Sequence, residues 1–285
     1  MDRLTIGPSG NSQIFYDNGY KKSYEAPAFL KSVGLNGYEY SFGRGFTMGH
    51  DMAKKIGEEA VKNNILVSVH APYYINFANP SDEMIEKSVN YVKKSIEYLQ
   101  LMQGEKVVVH TASVGKTTRQ EAIERVKQTL AKCLQEVKST FDMKNKYICL
   151  ETMGKYQQIG TYQEIIDLCT MDDILIPTFD FGHINCVMQG RLKTQQDYEN
   201  IFNYCFEKLG KHRTKNCHIH FSKIEYSTKG EVKHLDLSDT VYGPEFGPLA
   251  LAIKNLKLTP SIICESKNMM MEDAITMKNI YESIL

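Results

Sequence analysis

The sequence has no tryptophan, only 8 prolines in 285 residues, and no excess of either charge, with 34 Lys plus Arg against 34 Asp plus Glu. Zero net charge counts mildly against a nucleic-acid partner, because phosphate binding usually leaves a basic excess. It does not exclude one, since bound divalent cations add positive charge that a residue count omits. The seven cysteines form no Cys-x-x-Cys pair, and several sit in apolar runs such as Tyr147-Ile148-Cys149-Leu150 and Ile262-Ile263-Cys264. They read as buried, reduced thiols of a cytosolic protein. No apolar run approaches the roughly 20 residues of a membrane span, and Met1-Asp2-Arg3-Leu4-Thr5 opens no charged-then-apolar leader. A cytoplasmic protein without a membrane partner is expected. With 42% apolar and 24% charged residues the chain has the composition of a soluble globular protein. No Pro/Gly/Ser-rich linker or low-complexity block divides it, so one domain is expected over residues 1–285.

What is present is a repeated alternation. Short apolar or β-branched runs are each followed by a longer stretch of helical periodicity. Strands are expected at Leu4–Gly7, Gly37–Ser41, Ile65–His70, Lys106–His110, Tyr147–Glu151, Leu175–Asp180, Asn216–Phe221 and Ser261–Glu265. Amphipathic segments fall at Ala26–Val33, Met52–Asn63, Asp82–Met102, Arg119–Thr140, Thr161–Leu168, Thr194–Leu209, Pro248–Leu256 and Met271–Leu285. This pattern predicts an α/β fold, a single (β/α)8 TIM barrel. A doubly wound open sheet fits less well. It would have five or six strands and a glycine fingerprint after the first, which Gly7-Pro8-Ser9-Gly10 is not.

In such barrels the active face lies at the C-terminal strand ends. Here those ends carry His70 in "SVHAP", His110 in "VVVHTA", Glu151 in "ICLETMG", Asp180 and His183 in "FDFGH", His218 and His220 in "NCHIHFSK", and Glu265 in "IICESK". His234 follows in the loop "EVKHLD". A lone histidine at a strand end is usually a hydrogen-bonded core residue, and a lone acid is often a helix cap. Closing a barrel brings all these groups around one axis, where uncompensated burial would be costly. Divalent cations bound among them remove that cost. One cation needs about four to six ligands, fewer than this set supplies. Mixed imidazole and carboxylate ligation suits Zn²⁺, Mn²⁺ or Fe²⁺. Two metals roughly 3.5–4 Å apart, with Glu151 as the natural bridge, suit in-line attack on a phosphodiester.

In order and over nearly the whole chain, these motifs resemble the endonuclease IV family of apurinic/apyrimidinic (AP) endonucleases. The stretch "VHAPYYINFANP" (69–80) is similar to the family segment in which a ligand histidine precedes a tyrosine that enters damaged DNA. The resemblance implies a zinc barrel with two or three ions that cleaves double-stranded DNA 5′ to abasic sites, leaving a 3′-hydroxyl, as a monomer in base excision repair. Carried over by position, His70, His110 and Glu151 hold one metal. Glu151, Asp180, His218 and Glu265 hold the second, and His183 and His234 the third. Glu151 and Glu265 are the catalytic carboxylates, and Arg44, Tyr73 and Asn76 contact DNA. The family's third metal also takes an Asp two residues before the loop histidine. That position is Val232 here, with Glu231 beside it and His220 one pleat beyond His218 as possible replacements.

A basic rim is expected from Arg44, Lys116, Lys155, Arg191, Lys193, Lys223, Lys229 and Lys233, set against Glu225 and Glu231. Tyr73-Tyr74 reads either as a wedge for duplex DNA or as a buried cap on the barrel. Two other functions stay open. Sugar isomerases and epimerases of the xylose-isomerase-like group resemble the same superfamily and share the Glu, Asp-x-x-His, His, Glu subset around a single metal. A barrel that binds damaged DNA without cutting it is the non-enzymatic reading.

Overall fold

A computed structural model describes residues 4–284. In chain order its strands are β1 (Thr5–Pro8), β2 (Gly37–Ser41), β3 (Leu66–His70), β4 (Lys106–Val109), β5 (Ala112–Ser113), β6 (Tyr147–Glu151), β7 (Gln158–Ile159), β8 (Leu175–Asp180), β9 (His218–Phe221), β10 (Lys223–Ser227), β11 (Gly230–Leu235) and β12 (Ser261–Cys264). Eight of them form one parallel sheet in the order β1-β12-β9-β8-β6-β4-β3-β2. The chain is a (β/α)8 barrel, as the alternation predicts, and each expected barrel strand is present within two residues of its expected bounds.

The barrel strands read as apolar runs because both faces are covered. Every residue of Lys106–Val109 and of Leu175–Asp180 is buried. The surrounding helices bury one stripe each. Asp82–Leu101 turns Val89, Val92, Ile96 and Leu99 inward, and Arg119–Thr140 turns Ala122, Val126, Leu130, Cys133 and Val137 inward. Capping boxes start three of them, pairing Thr118 with Glu121, Thr161 with Glu164 and Thr194 with Asp197. The helix expected to end at Leu209 does break there, at Gly210 (φ 76°, ψ 176°), and a short second helical stretch follows as far as Lys215. All seven cysteines are buried and free.

Closure between β1 and β2 uses few ladder bonds. Ser9 bridges Glu39, and the Gly10 amide donates to the Glu39 carbonyl at 3.0 Å. Asn36 stands in for missing ladder partners. Its Oδ1 accepts from the Ile6 amide at 2.8 Å and its Nδ2 donates to the Leu4 carbonyl at 2.9 Å. The backbones approach so closely that a Cβ on Gly7 would lie 1.9 Å from the Gly37 carbonyl oxygen. Glycine is required here by space. Lys106 closes the far mouth, donating to the Asn216 carbonyl at 2.8 Å and to Ser261 Oγ at 2.9 Å.

Two features after the strands escape the sequence pattern. β10 and β11 form an antiparallel hairpin where a loop is expected, and β5 pairs with β7. Urea unfolding tests the seam. Gly7→Ala is expected to cost about 2–3 kcal/mol or more through overpacking. Gly247→Ala, whose Cβ would meet nothing within 4 Å, is expected to be neutral or slightly stabilising.

Candidate metal centre

The strand ends place a dense polar group at one mouth of the barrel. On one side of Glu151, Oε2 lies 3.1 Å from His70 Nε2 and 2.9 Å from His110 Nε2. On the other, Oε1 lies 2.9 Å from His220 Nδ1, which is also 3.3 Å from Glu265 Oε2. Glu151, Asp180, His220 and Glu265 each offer a ligand atom within 4.8 Å of the others. The same holds for His70, His110 and Glu151, and for His183, Glu231 and His234. Glu151 thus belongs to two groups, as a bridging carboxylate would.

The motif "FDFGH" has a structural account. Asp180 ends β8 and caps the helix Phe181–Val187, its Oδ1 accepting from the His183 amide at 2.7 Å. Its Oδ2 is buried without a hydrogen-bond partner and stands 3.3 Å from His183 Nδ1. Gly182 lets the β10 hairpin pack close, since a Cβ there would sit 2.7 Å from Ile224 Cδ1.

Most of these imidazoles are oriented by backbone carbonyls. His70 Nδ1 lies 2.7 Å from the Ala71 oxygen, His183 Nδ1 2.9 Å from the Thr152 oxygen, and His234 Nδ1 3.1 Å from the Glu265 oxygen. Carbonyls only accept, so the Nδ1 of His70 and of His183 carries a proton and their Nε2 faces the carboxylates, while His234 Nδ1 also meets the Ser222 hydroxyl at 2.9 Å.

Two placements depart from the position-by-position expectation. His218 does not join Glu151, Asp180 and Glu265; His220 does. Both side chains point into the barrel because they are two apart on β9, but His220 sits level with Asp180 and His218 with Thr178, one layer deeper. At that depth His218 Nε2 is 3.0 Å from Glu39 Oε2. The second departure is at Val232. The β10–β11 register shifts between Glu225 and Tyr226, so that Lys233 pairs with Glu225 and Glu231 with Tyr226, leaving Val232 as the extra residue of a bulge. The bulge turns Val232 out, 51% exposed, and aims Glu231 at His183 Nε2, 3.5 Å away.

Glu39 was not identifiable from its surroundings in the sequence. It is buried in mid-strand and reached by Ser68 Oγ at 2.7 Å, His218 and His220. The hint available was a charged residue inside the otherwise apolar "GYEYS".

Burial disfavours every charge here, and partners decide the outcome. It opposes protonation of His70, but the Glu151 carboxylate outweighs it and raises the imidazole to about 9. Burial likewise opposes the charge on His183, which Asp180 and Glu231 raise to about 9. For His218 burial wins, lowering it to about 4 despite Glu39. Glu265 is held at about 2, since the charge on His220 overcomes burial. Asp180 is raised by burial, which His183 only partly offsets.

The cavity above the carboxylates is about 340 Å³ and includes Tyr73, Met153, Lys155 and Gln158 in its lining. Tyr73 and Tyr74 are 53% and 45% exposed, so they do not form a buried cap. Their rings lie 4.2 Å apart. Arg44 is exposed on the neighbouring loop, where the Gly43 carbonyl accepts from the Tyr73 amide at 3.4 Å. Asn76 Oδ1 accepts from the Ala78 amide at 3.1 Å, within its own loop. Lys223 leaves the expected basic rim: it is buried and paired with Glu245 at 2.7 Å.

Residues 27–280 match the family of xylose isomerase-like TIM barrels. The chain belongs to that family. It is 30% identical over 92% of both chains to an uncharacterized protein of Methanocaldococcus jannaschii. It is 26% identical to a probable endonuclease 4 of Mycoplasma genitalium, over 70% of this chain and 65% of that one. A probable endonuclease 4 of Staphylococcus epidermidis is 31% identical over 61% of this chain and 58% of its own. The chain therefore spans less than two thirds of these two endonucleases. Among solved structures, endonuclease IV from Thermus thermophilus superposes with TM-score 0.69 at 17% identity, over 99% of this chain and 98% of its own. A D-tagatose 3-epimerase-like protein superposes with TM-score 0.67 at 19% identity, over 90% of each chain. These similarities support the endonuclease IV resemblance as a family relationship, and the structural ones show the barrel fold shared by nucleases and epimerases.

The raised imidazoles predict a pH dependence for chelator-treated protein. A histidine shifted from 6.5 to about 9 contributes stability that is complete below pH 6.5 and lost as pH rises through 9. Thermal unfolding of the metal-free protein should therefore show a falling Tm between pH 6.5 and 9. A flat profile would count against these ion pairs.

Proposed function

We propose that this chain is a metal-dependent AP endonuclease that hydrolyses the phosphodiester 5′ to abasic sites in double-stranded DNA and leaves a 3′-hydroxyl. The observation that carries the reading is the number of grouped ligands. Five overlapping groups of candidate ligands occur among the described residues. The three used here meet at one open mouth with Glu151 common to two of them, and Glu39, His218 and His220 form another one layer deeper. The donor set fits divalent cations: imidazole nitrogens and carboxylates, with Asp180 Oδ2 buried and lacking a hydrogen-bond partner.

His70, His110 and Glu151 would hold one ion, Glu151, Asp180, His220 and Glu265 a second, and His183, Glu231 and His234 a third. Zinc is the ion proposed, with Mn²⁺ or Fe²⁺ as alternatives. Bound there, such ions supply Lewis-acid stabilisation of phosphoryl oxygens and a nucleophile usable at neutral pH. The protein's own groups do the rest. Glu265 stays ionised at neutral pH and faces the cavity, so it orients an attacking water by accepting its hydrogen bond. Lys155 on the cavity wall and Arg44 on the rim offer cations to backbone phosphates. Tyr73 and Tyr74, exposed beside the cavity, have the place and shape to fill the gap left by an extruded nucleotide. The reading includes a monomer acting in the cytoplasm.

The single-metal epimerase reading finds support in the shared fold and in the Glu151, Asp180, His220, Glu265 set. The extra His183–Glu231–His234 group favours the nuclease, because a one-metal enzyme has no use for it.

A duplex carrying one tetrahydrofuran abasic analogue tests the proposal. Incision on the 5′ side, abolished by chelator and lowered ~100-fold or more by Glu265→Gln, is expected. Bound metal near one ion per chain, with no incision, would support the epimerase instead. Elemental analysis also tests the bulge: Glu231→Gln should lose about one ion per chain relative to wild type, whereas Val232→Ala should lose none.

A further inference from the structure

His220 is oriented differently from its neighbours. His70, His183 and His234 each turn Nδ1 to a backbone carbonyl and Nε2 toward an acid, although His183 Nδ1 also lies 3.3 Å from Asp180 Oδ2. His220 presents Nδ1, 2.9 Å from Glu151 Oε1, and turns Nε2 inward to Glu39 Oε1 at 3.0 Å. No carbonyl holds it there. Glu39, His218 and His220 are all fully buried.

Glu39 is itself held fast. Its Oε2 accepts from Ser68 Oγ at 2.7 Å and lies 3.0 Å from His218 Nε2. Its backbone carbonyl takes the Gly10 amide across the barrel seam. Two contacts on one oxygen fix the plane of the carboxylate and leave the other oxygen to His220. The Glu39 Oε1 to His220 Nε2 contact is close without being an aligned hydrogen bond, and among the described residues neither atom has another hydrogen-bond partner. A buried imidazole nitrogen and a buried carboxylate oxygen 3.0 Å apart, neither with another hydrogen-bond partner, compensate each other.

We propose that Glu39 is a positioning residue for the metal centre: it keeps the proton of His220 on Nε2 and thereby leaves the Nδ1 lone pair to the cation shared with Glu151, Asp180 and Glu265. Ser68 and His218 serve this role indirectly by holding Glu39. The inference rests on the metal-centre reading above. A carboxylate behind a ligating imidazole fixes its tautomer and raises its basicity, and its loss typically lowers metal affinity by about 10–100-fold.

Calorimetric zinc titration of wild type, Glu39→Gln and Ser68→Ala, with long-range ¹H–¹⁵N spectra of histidine-labelled protein, tests this. The expected result is a 10–100-fold loss of affinity at the affected site in Glu39→Gln, a smaller loss in Ser68→Ala, and unchanged far-ultraviolet circular dichroism. In zinc-loaded wild type, His220, assigned by the signal missing from His220→Asn, should carry its proton on Nε2. A proton on Nδ1, or equal zinc affinity in wild type and a folded Glu39→Gln, would overturn the inference while leaving the metal centre intact. The wild-type spectrum decides even if Glu39→Gln does not fold. Wild-type protein that binds no zinc, manganese or iron would instead overturn the metal-centre reading itself.

Discussion

The constraint on which the rest depends is the cost of taking charge out of water. Glu39, Glu151 and Asp180 are at most 1% exposed, and so are His218 and His220. An ionised carboxylate in such surroundings is tolerated only with a compensating charge and hydrogen bonds. Neighbouring acids raise the pKa of His70, His183 and His220, so that protonated imidazoles can supply that charge in the metal-free protein. A cation bound there would offer the same compensation more compactly and would have to displace those protons, which would link metal capture to proton release. The barrel contributes the geometry. Parallel strands end at one mouth, which gathers groups separated by nearly two hundred residues.

Rigidity follows from how the candidate ligands are held. Asp180 caps a helix with one oxygen and keeps the other for the site. His70 is anchored to the carbonyl of Ala71 next to it, whereas His183 and His234 reach the carbonyls of Thr152 and Glu265 at the ends of other strands. Side chains share the task at two of them, with Ser222 Oγ 2.9 Å from His234 Nδ1 and Asp180 Oδ2 3.3 Å from His183 Nδ1. Variation in substrate handling is left to exposed loops such as the one carrying Tyr73 and Tyr74.

Much of the fold was legible in the sequence because buried parallel strands and amphipathic helices have different hydrophobic periods. Leu175–Asp180 and Tyr147–Glu151 appear with the bounds the pattern predicts. The site residues were legible as types at strand ends, and less so as directions. His218 and His220 both alternate inward, and nothing in "NCHIHFSK" tells which layer each occupies. Depth depends on the register against β8 and β12, a tertiary property. Glu231 was legible as a replacement beside Val232, but the bulge that shifts the two-residue alternation by one and so turns it toward His183 was not. Glu39 was hidden because a single mid-strand acid has no local pattern to mark it.

The seam between the first two barrel strands has a temporal consequence. Ser9 and Gly10 bind the backbone of Glu39, while β1 pairs along its other edge with β12, the last barrel strand. During synthesis the cylinder cannot shut until residues beyond Cys264 have emerged. The polar cage is therefore completed late, and in a partly made chain its carboxylates and imidazoles are still scattered along the strand ends.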